Sequence, residues 1–154
     1  MLLVPADTLP PTSRLQVAGR LLLGAFLTFA GIGHLTTQRE EFQAQVPSWF
    51  PADPDLVVVV SGVVEIALGA ALIALPGRRV AVGLATAAFF VAIFPGNVAQ
   101  WIEGTDAFGL DTDGQRFARL FFQPVLVAWA LWSTGAGGAL ARWARDRGSG
   151  ARPG

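Results

Sequence analysis

Four stretches of about twenty mostly apolar residues limit what this chain can fold into. They run over about 17–35, 56–75, 80–101 and 118–138. About 20 helical residues cross the hydrocarbon core of a bilayer, which is roughly 30 Å thick. A backbone inside lipid must also satisfy its own N–H and C=O groups, which helices do. The spacing therefore predicts an all-α fold, an integral membrane four-helix bundle.

The composition favours a membrane protein over a soluble domain. The 154 residues are 53% hydrophobic and 14% charged, and their mean hydropathy is +0.51. An ordinary soluble domain has about 25% charged residues, and one of this length still exposes much of its surface. The formal net charge of zero argues against a nucleic-acid partner, because such proteins carry a basic excess.

The arginines predict the orientation of the chain. Eight of the 11 basic residues, all of them arginine, lie in or beside the two termini and the loop between the second and third stretches. The positive-inside rule then places both termini in the cytoplasm of a multi-pass protein of the cell (plasma) membrane. We expect a disordered cytoplasmic N-terminus over 1–13, a transmembrane domain over 14–140 and a basic cytoplasmic tail over 141–154.

The segment after the first stretch predicts a short extracytoplasmic interfacial helix. Thr37-Gln38-Arg39-Glu40 fits a capping box, and three prolines follow a helix that we expect to end near Gln45. Trp49 and Phe50 suit the aromatic belt at a membrane surface. Two interpretations stay open for this segment. It either seats the bundle at the interface or forms a lid over a pocket that opens outward.

Glu65 is the most informative residue, because it lies in the middle of the second stretch. A charge at mid-membrane costs about 2.5–3.5 kcal/mol on insertion scales. Gly62 and Gly69 share a helix face with Glu65, and small residues let helices approach closely. Glu65 is therefore expected to point into the bundle. It is either a carboxyl group that orients the helices or an acid that handles protons or anchors a ligand.

Other polar residues fall near the outer ends of the stretches, above Glu65. Arg20 differs, because it lies near the inner end of the first stretch and either extends to water or reaches toward Glu65. Convergence from all four stretches predicts a functional or ligand-binding polar cluster. Its expected members are His34, Glu65, Asn97, Gln100, Arg119, Gln123 and Arg20.

The residue inventory excludes several chemistries. The chain has no Cys and one His, which rules out a dithiol centre, a Cys-ligated metal and a bis-His haem. Asp111-Thr112-Asp113-Gly114 resembles a fragment of a calcium loop but lacks the later Glu. We assign no catalytic residue and no metal ligand, and no cofactor is evident. The sequence argues against an autonomous enzyme.

Five motifs, in this order and spacing, carry a family resemblance. They are Ala30-Gly31-Ile32-Gly33-His34, Val46-Pro47, Ser61-Gly62-Val63-Val64-Glu65-Ile66-Ala67-Leu68-Gly69, Phe94-Pro95-Gly96-Asn97 and Arg119-Leu120-Phe121-Phe122-Gln123-Pro124. Over roughly 15–135 the chain resembles the DoxX family of small four-helix integral membrane proteins. The resemblance implies recurring polar positions at Arg20, His34, Glu65, Asn97, Arg119 and Gln123. Gly96 stands where the family usually has Ala.

The resemblance also implies a link to redox chemistry. The family is named after a subunit linked to thiosulfate:quinone oxidoreduction, and some members associate with membrane oxidoreductase complexes. We therefore expect a non-catalytic component that binds a quinone or a lipid, or docks a redox partner protein, within the bilayer. Such a component could be a subunit of a membrane oxidoreductase, and an oligomer stays open. The alternatives are a small proton-coupled transporter that uses Glu65 and a purely structural membrane assembly protein.

Overall fold

A computed structural model describes residues 11–149, and this part of the chain is helical, without strands. The predicted all-α fold is confirmed. A 3-10 turn, Pro76–Arg78, joins the third and fourth helices. The helices are α1 (Arg14–Leu35), α2 (Arg39–Gln43), α3 (Pro54–Ala74), α4 (Arg79–Glu103), α5 (Asp113–Leu120), α6 (Phe122–Thr134) and α7 (Ala136–Ser149). The disorder predicted for 1–13 falls mostly outside the described residues, as does the end of the tail.

Within residues 11–149, three helical segments are long and apolar enough to cross a membrane. They are Arg14–Leu35, Pro54–Ala74 and Pro76–Glu103. A fourth segment qualifies only if α5, α6 and α7 are counted together, and an 83° bend separates α7 from the other two. The number of candidate spans is therefore three, or up to four.

α1 and α3 run antiparallel and pack through two pairs of glycines. A Cβ added to Gly24 would lie 2.8 Å from the carbonyl oxygen of Gly69, and one added to Gly31 would lie 2.5 Å from that of Gly62. Only glycine permits such a close approach of two helix backbones. We call this α1–α3 contact, with its pairs Gly24–Gly69 and Gly31–Gly62, the glycine seam. Glu65 lies between the two glycine pairs, on the face that the sequence predicted.

The buried apolar core lies between α1, α3, α4 and α6. Trp129 of α6 ties this core to α1, because its Nε1 donates a hydrogen bond to the carbonyl of Gly19 at 2.9 Å. Deeply buried apolar residues from all four helices contact one another here. They are Leu23, Leu27, Leu72, Ala87, Phe90 and Ala130.

α6 ends earlier than the predicted fourth stretch, which extended to 138. Gly135 adopts the left-handed conformation, with φ of 75°, and caps the helix directly after Thr134. Glycine tolerates this conformation without steric cost. The chain therefore turns at Gly135, and α7 leaves the bundle at a steep angle.

The capping box predicted at Thr37 is wrong. Thr37 lies in the turn after α1, and α2 begins after Gln38, whose side chain makes no capping hydrogen bond. Complete capping boxes instead start α1, with Ser13 and Gln16, and α5, with Thr112 and Gln115. The short helix itself is present, and it ends at Gln43 rather than near Gln45.

Residues 36–53, the cover segment, lie across the end of the bundle where α1 ends and α3 begins. Arg39 Nε donates to Asp55 Oδ1 at 2.6 Å, and this hydrogen bond raises the pKa of the Arg39 guanidinium. Ser48 Oγ donates to Glu103 Oε1 at 2.9 Å, at the end of α4. The cover segment is thus hydrogen-bonded both to α3 and to the end of α4.

Gly96 in α4 lets the cover segment approach closely. A Cβ added at this position would run into the carbonyl oxygen of Gln45. A glycine is therefore required at position 96 by a backbone contact with the cover segment.

Candidate functional site

A cavity of about 500 Å³ lies beneath the cover segment. Leu27 and Phe90 belong both to its lining and to the buried core, so the core forms the cavity floor. Ligand pockets typically have volumes of about 300–1,000 Å³ and mostly apolar walls. Apolar lining residues come from α1, α3, α4 and α6, and they include Phe26, Leu27, Val58, Phe90, Ile93 and Leu126.

The structure brings five of the seven predicted polar residues to this cavity. Each comes from a different helix, α1, α3, α4, α5 or α6. They are His34, Glu65, Asn97, Arg119 and Gln123. These five residues, which the sequence predicted to converge, therefore line one cavity in the fold.

His34 and Glu65 form a close pair at the α1–α3 seam. The Nδ1 atom of His34 lies 3.1 Å from Glu65 Oε2, and both side chains are 7% exposed. The same Nδ1 lies 2.9 Å from the carbonyl oxygen of Ala30 with hydrogen-bond geometry. A carbonyl only accepts, so in the tautomer that carries the proton on Nδ1 this N–H donates to Ala30.

This arrangement leaves one carboxyl oxygen of Glu65 unsatisfied. Oε2 is buried and has no hydrogen-bond partner among residues 11–149, although His34 Nδ1 lies within ion-pair distance. The two facts are compatible, because the N–H of His34 points at Ala30 rather than at Oε2. Native proteins rarely bury an unpaired polar atom, and such atoms call for an explanation.

One aromatic ring covers His34, and a second ring packs against the first. Phe42 of α2 stacks on the imidazole, with ring centroids 3.4 Å apart and planes at 16°. Phe108 meets Phe42 edge-on, with centroids 4.7 Å apart. Phe108 also donates its backbone N–H to Glu41 Oε2 at 2.8 Å, which fixes it against α2.

Arg119 brings a positive charge to the cavity without a carboxylate partner. Its Cζ lies 4.9 Å from the centroid of the Phe108 ring, a cation–π arrangement. With its amide oxygen turned toward Arg119, Gln45 accepts from Nη2 at 2.5 Å and from Nη1 at 3.2 Å. In the described part of the chain, no Asp or Glu lies within ion-pair distance of Arg119.

Asn97 and Gln123 connect α4 to α6 beside the cavity. Asn97 Nδ2 donates to Gln123 Oε1 at 3.0 Å, and Gln123 Nε2 donates to the carbonyl of Phe90. Because the two amides bond to each other, they are first of all a cross-link that holds the cavity wall.

Gln100 and Arg20 do not line the cavity. Gln100 is buried beside it, and its Nε2 donates to the Thr105 carbonyl at 3.3 Å, in the turn after α4. Arg20 donates to the carbonyl of Leu72, near the opposite end of α3. Of the two alternatives for Arg20, the contact with Glu65 does not form.

The acidic segment after α4 has a structural explanation. Asp106 and Asp113 both pair with the buried Arg116, whose Nη2 donates to Asp113 at 2.7 Å, and Thr112 caps α5. Residues 11–149 contain no group of three or more His, Asp or Glu residues that could hold a metal ion.

Sequence reasoning missed Phe42, Gln45 and Phe108. Phe108 has a φ of 56°, which is uncommon for a bulky residue and is typical of functional or strained positions. No local pattern in the sequence predicts this conformation. Gln45 had one indirect signal, the glycine at position 96 inside an apolar helix, at the point where Gln45 contacts α4.

The fold and the site define an all-helical protein whose membrane-length apolar helices surround a cavity with a polar cluster. The chain belongs to the family described as Domain of unknown function (DUF8561), whose model matches residues 23–134. The match ends at the last residue of α6 and contains every residue that lines the cavity. No curated protein and no solved structure shows significant similarity to the chain.

Proposed function

We propose that this protein is a non-catalytic membrane protein that binds a lipophilic small molecule, a quinone or a lipid, beneath the cover segment. One observation carries the proposal. An apolar cavity of about 500 Å³ has His34, Glu65 and Arg119 among its lining residues. Ligand sites combine apolar walls with a few polar groups that orient the ligand.

The proposal includes a four-helix topology in the cell membrane. α1, α3, α4 and the bent segment formed by α5, α6 and α7 would each cross the bilayer, with both termini in the cytoplasm and the cover segment outside. Large apolar side chains face outward along these helices. Phe29 is 74% exposed, Ile102 71% and Phe122 67%. Lipid contact would explain such exposure, which is costly in water.

The packing favours binding over transport. Leu23, Leu27 and Leu72 are at most 1% exposed and close the bundle between Glu65 and the opposite end. A proton-coupled transporter would need Glu65 to reach both sides, which requires this layer to open. A purely structural protein would have no use for an interior cavity. Both alternatives are therefore less well supported than ligand binding.

A redox connection belongs to the same proposal. The chain has no Cys and one His, so electron transfer would depend on a bound quinone or on a partner protein. A distant relationship to the DoxX family, suggested by the motifs around His34, Glu65 and Asn97, would fit a subunit of a membrane oxidoreductase.

The direct test is retention of a lipophilic molecule by the purified full chain. Native mass spectrometry should detect a bound quinone or lipid on the wild-type protein in mild detergent. Glu65→Gln and His34→Ala should lose it while still inserting into membranes. Glu40→Gln is the matched control, because Glu40 is exposed on α2 and does not line the cavity. Wild-type amounts of ligand on both cavity variants would contradict the proposal.

A further inference from the structure

We infer that the ligand presents two complementary atoms on one polar head group, a hydrogen-bond donor toward Glu65 and an acceptor oxygen toward Arg119. The inference rests on the proposed function and names the ligand class of that site. The carboxyl group of Glu65 and the guanidinium of Arg119 line one cavity, and within residues 11–149 they do not pair with each other.

The requirement for a donor comes from Glu65. Glu65 is 5% exposed, and its Oε2 atom is buried without a hydrogen-bond partner within residues 11–149. A carboxyl oxygen that bears no proton only accepts hydrogen bonds. Glu65 lines the cavity, so a ligand O–H or N–H group there could donate a hydrogen bond to its carboxyl group.

The requirement for an acceptor comes from Arg119. Its neighbours in the cavity, the Gln45 amide and the Phe108 ring, are both uncharged. A guanidinium has five N–H donors in a fixed fork and no acceptor. Gln45 has one amide oxygen to offer them. A carbonyl, phenolic or phosphate oxygen on the ligand would complete the donor set.

The rest of the ligand is apolar. Phe29, Trp49 and Phe50 line the cavity and are also exposed by 74%, 68% and 43%. The cavity therefore reaches the outer surface of the bundle through aromatic side chains. An alkyl or isoprenoid tail could leave the cavity along them and enter surrounding lipid.

Two kinds of membrane molecule carry such a head group. A 1,4-hydroquinone donates from one O–H group, and its second oxygen accepts. Phosphatidylethanolamine donates from its ammonium group and accepts at its phosphate. Each has a close analogue without the donor, namely the hydroquinone dimethyl ether and phosphatidylcholine. Both analogues keep the acceptor oxygens.

The experiment compares these four probes on the full chain in detergent. We would titrate a decyl-substituted 1,4-hydroquinone under anaerobic conditions, its dimethyl ether, dioctanoyl phosphatidylethanolamine and dioctanoyl phosphatidylcholine. In the wild type, at least one donor-bearing probe should bind about tenfold or more tightly than its methylated analogue, since hydrogen bonds to charged groups are among the stronger ones. The pair that discriminates identifies the source of the head group.

Variants assign the two contacts. Glu65→Leu, which has no acceptor oxygen, should bring the ratio within the discriminating pair close to one, and Glu65→Gln, which keeps one, should give a smaller reduction. Arg119→Gln should weaken both members of that pair by similar factors, and Arg142→Gln on α7 should change neither. Equal wild-type affinity for a probe and its methylated analogue in both pairs would refute the inference and leave the proposed function standing. If none of the four probes binds, the proposed function fails as well.

Discussion

Gly62→Ala tests whether the glycine seam between α1 and α3 positions the His34–Glu65 pair. The new Cβ would lie 2.7 Å from His34 Cβ and 2.9 Å from the carbonyl oxygen of Gly31. Overpacking of this kind costs about 1–3 kcal/mol, while alanine in a helix gains about 1 kcal/mol over glycine. Because one neighbour is helix backbone and cannot rotate away, we expect the upper part of the range, a net loss of about 1–2 kcal/mol.

The measurement is the free energy of unfolding in detergent, followed by circular dichroism during denaturant titration. Gly114→Ala is the matched control, because Gly114 is also helical and a Cβ there meets no atom within 4 Å. The control should be neutral or slightly more stable. Gly62→Ala should be less stable and should bind the hydroquinone or lipid probe more weakly. A Gly62→Ala protein as stable as the control would refute the proposed role of the seam.

Three further substitutions probe the cover segment, the cavity wall and the core. Gly96→Ala should displace Gln45 and loosen the cover segment. Amide hydrogen exchange over residues 40–50 should then be faster than in the wild type. Unchanged exchange would contradict the proposed contact between Gly96 and Gln45. Asn97→Ala removes the hydrogen bond to Gln123 and should lower the free energy of unfolding by about 0.6–1.7 kcal/mol. An unchanged free energy of unfolding would show that this hydrogen bond does not stabilise the fold. Ser133→Ala removes a buried hydroxyl that has no partner in the described part of the chain and should leave thermal stability unchanged or raise it, whereas a large loss would mean that the hydroxyl is bonded after all.

Much of the fold follows from the sequence because membrane spans have a simple signature. Length and hydropathy locate α1, α3 and α4 to within a few residues, since each span must be about 20 apolar residues long. The end of α6 does not follow, because Gly135 is one glycine among several and only its conformation reveals the turn. Likewise, Thr37-Gln38-Arg39-Glu40 matches the capping-box motif in sequence. In the structure Thr37 lies in the turn after α1 and does not cap α2.

The cluster around Glu65 was predictable because buried charges on a span face the bundle interior. His34, Asn97 and Gln123 follow from depth along antiparallel helices. Phe42, Gln45 and Phe108 were not predictable, since they belong to connections whose path depends on tertiary contacts. Arg20 was predicted to belong to the cluster, and it shares a helix face with His34. In the structure it donates a hydrogen bond to the carbonyl of Leu72 and does not line the cavity.

Site-specific photocrosslinking tests most directly whether a lipophilic molecule occupies this cavity. A photoreactive phenylalanine analogue at Phe50, which lines the cavity, should form an adduct with one quinone or lipid species that an excess of unlabelled ligand abolishes. The same analogue at Phe121, which is exposed outside the cavity, should give only labelling that ligand does not compete away. Equal and non-competable labelling at both positions would contradict ligand binding beneath the cover segment.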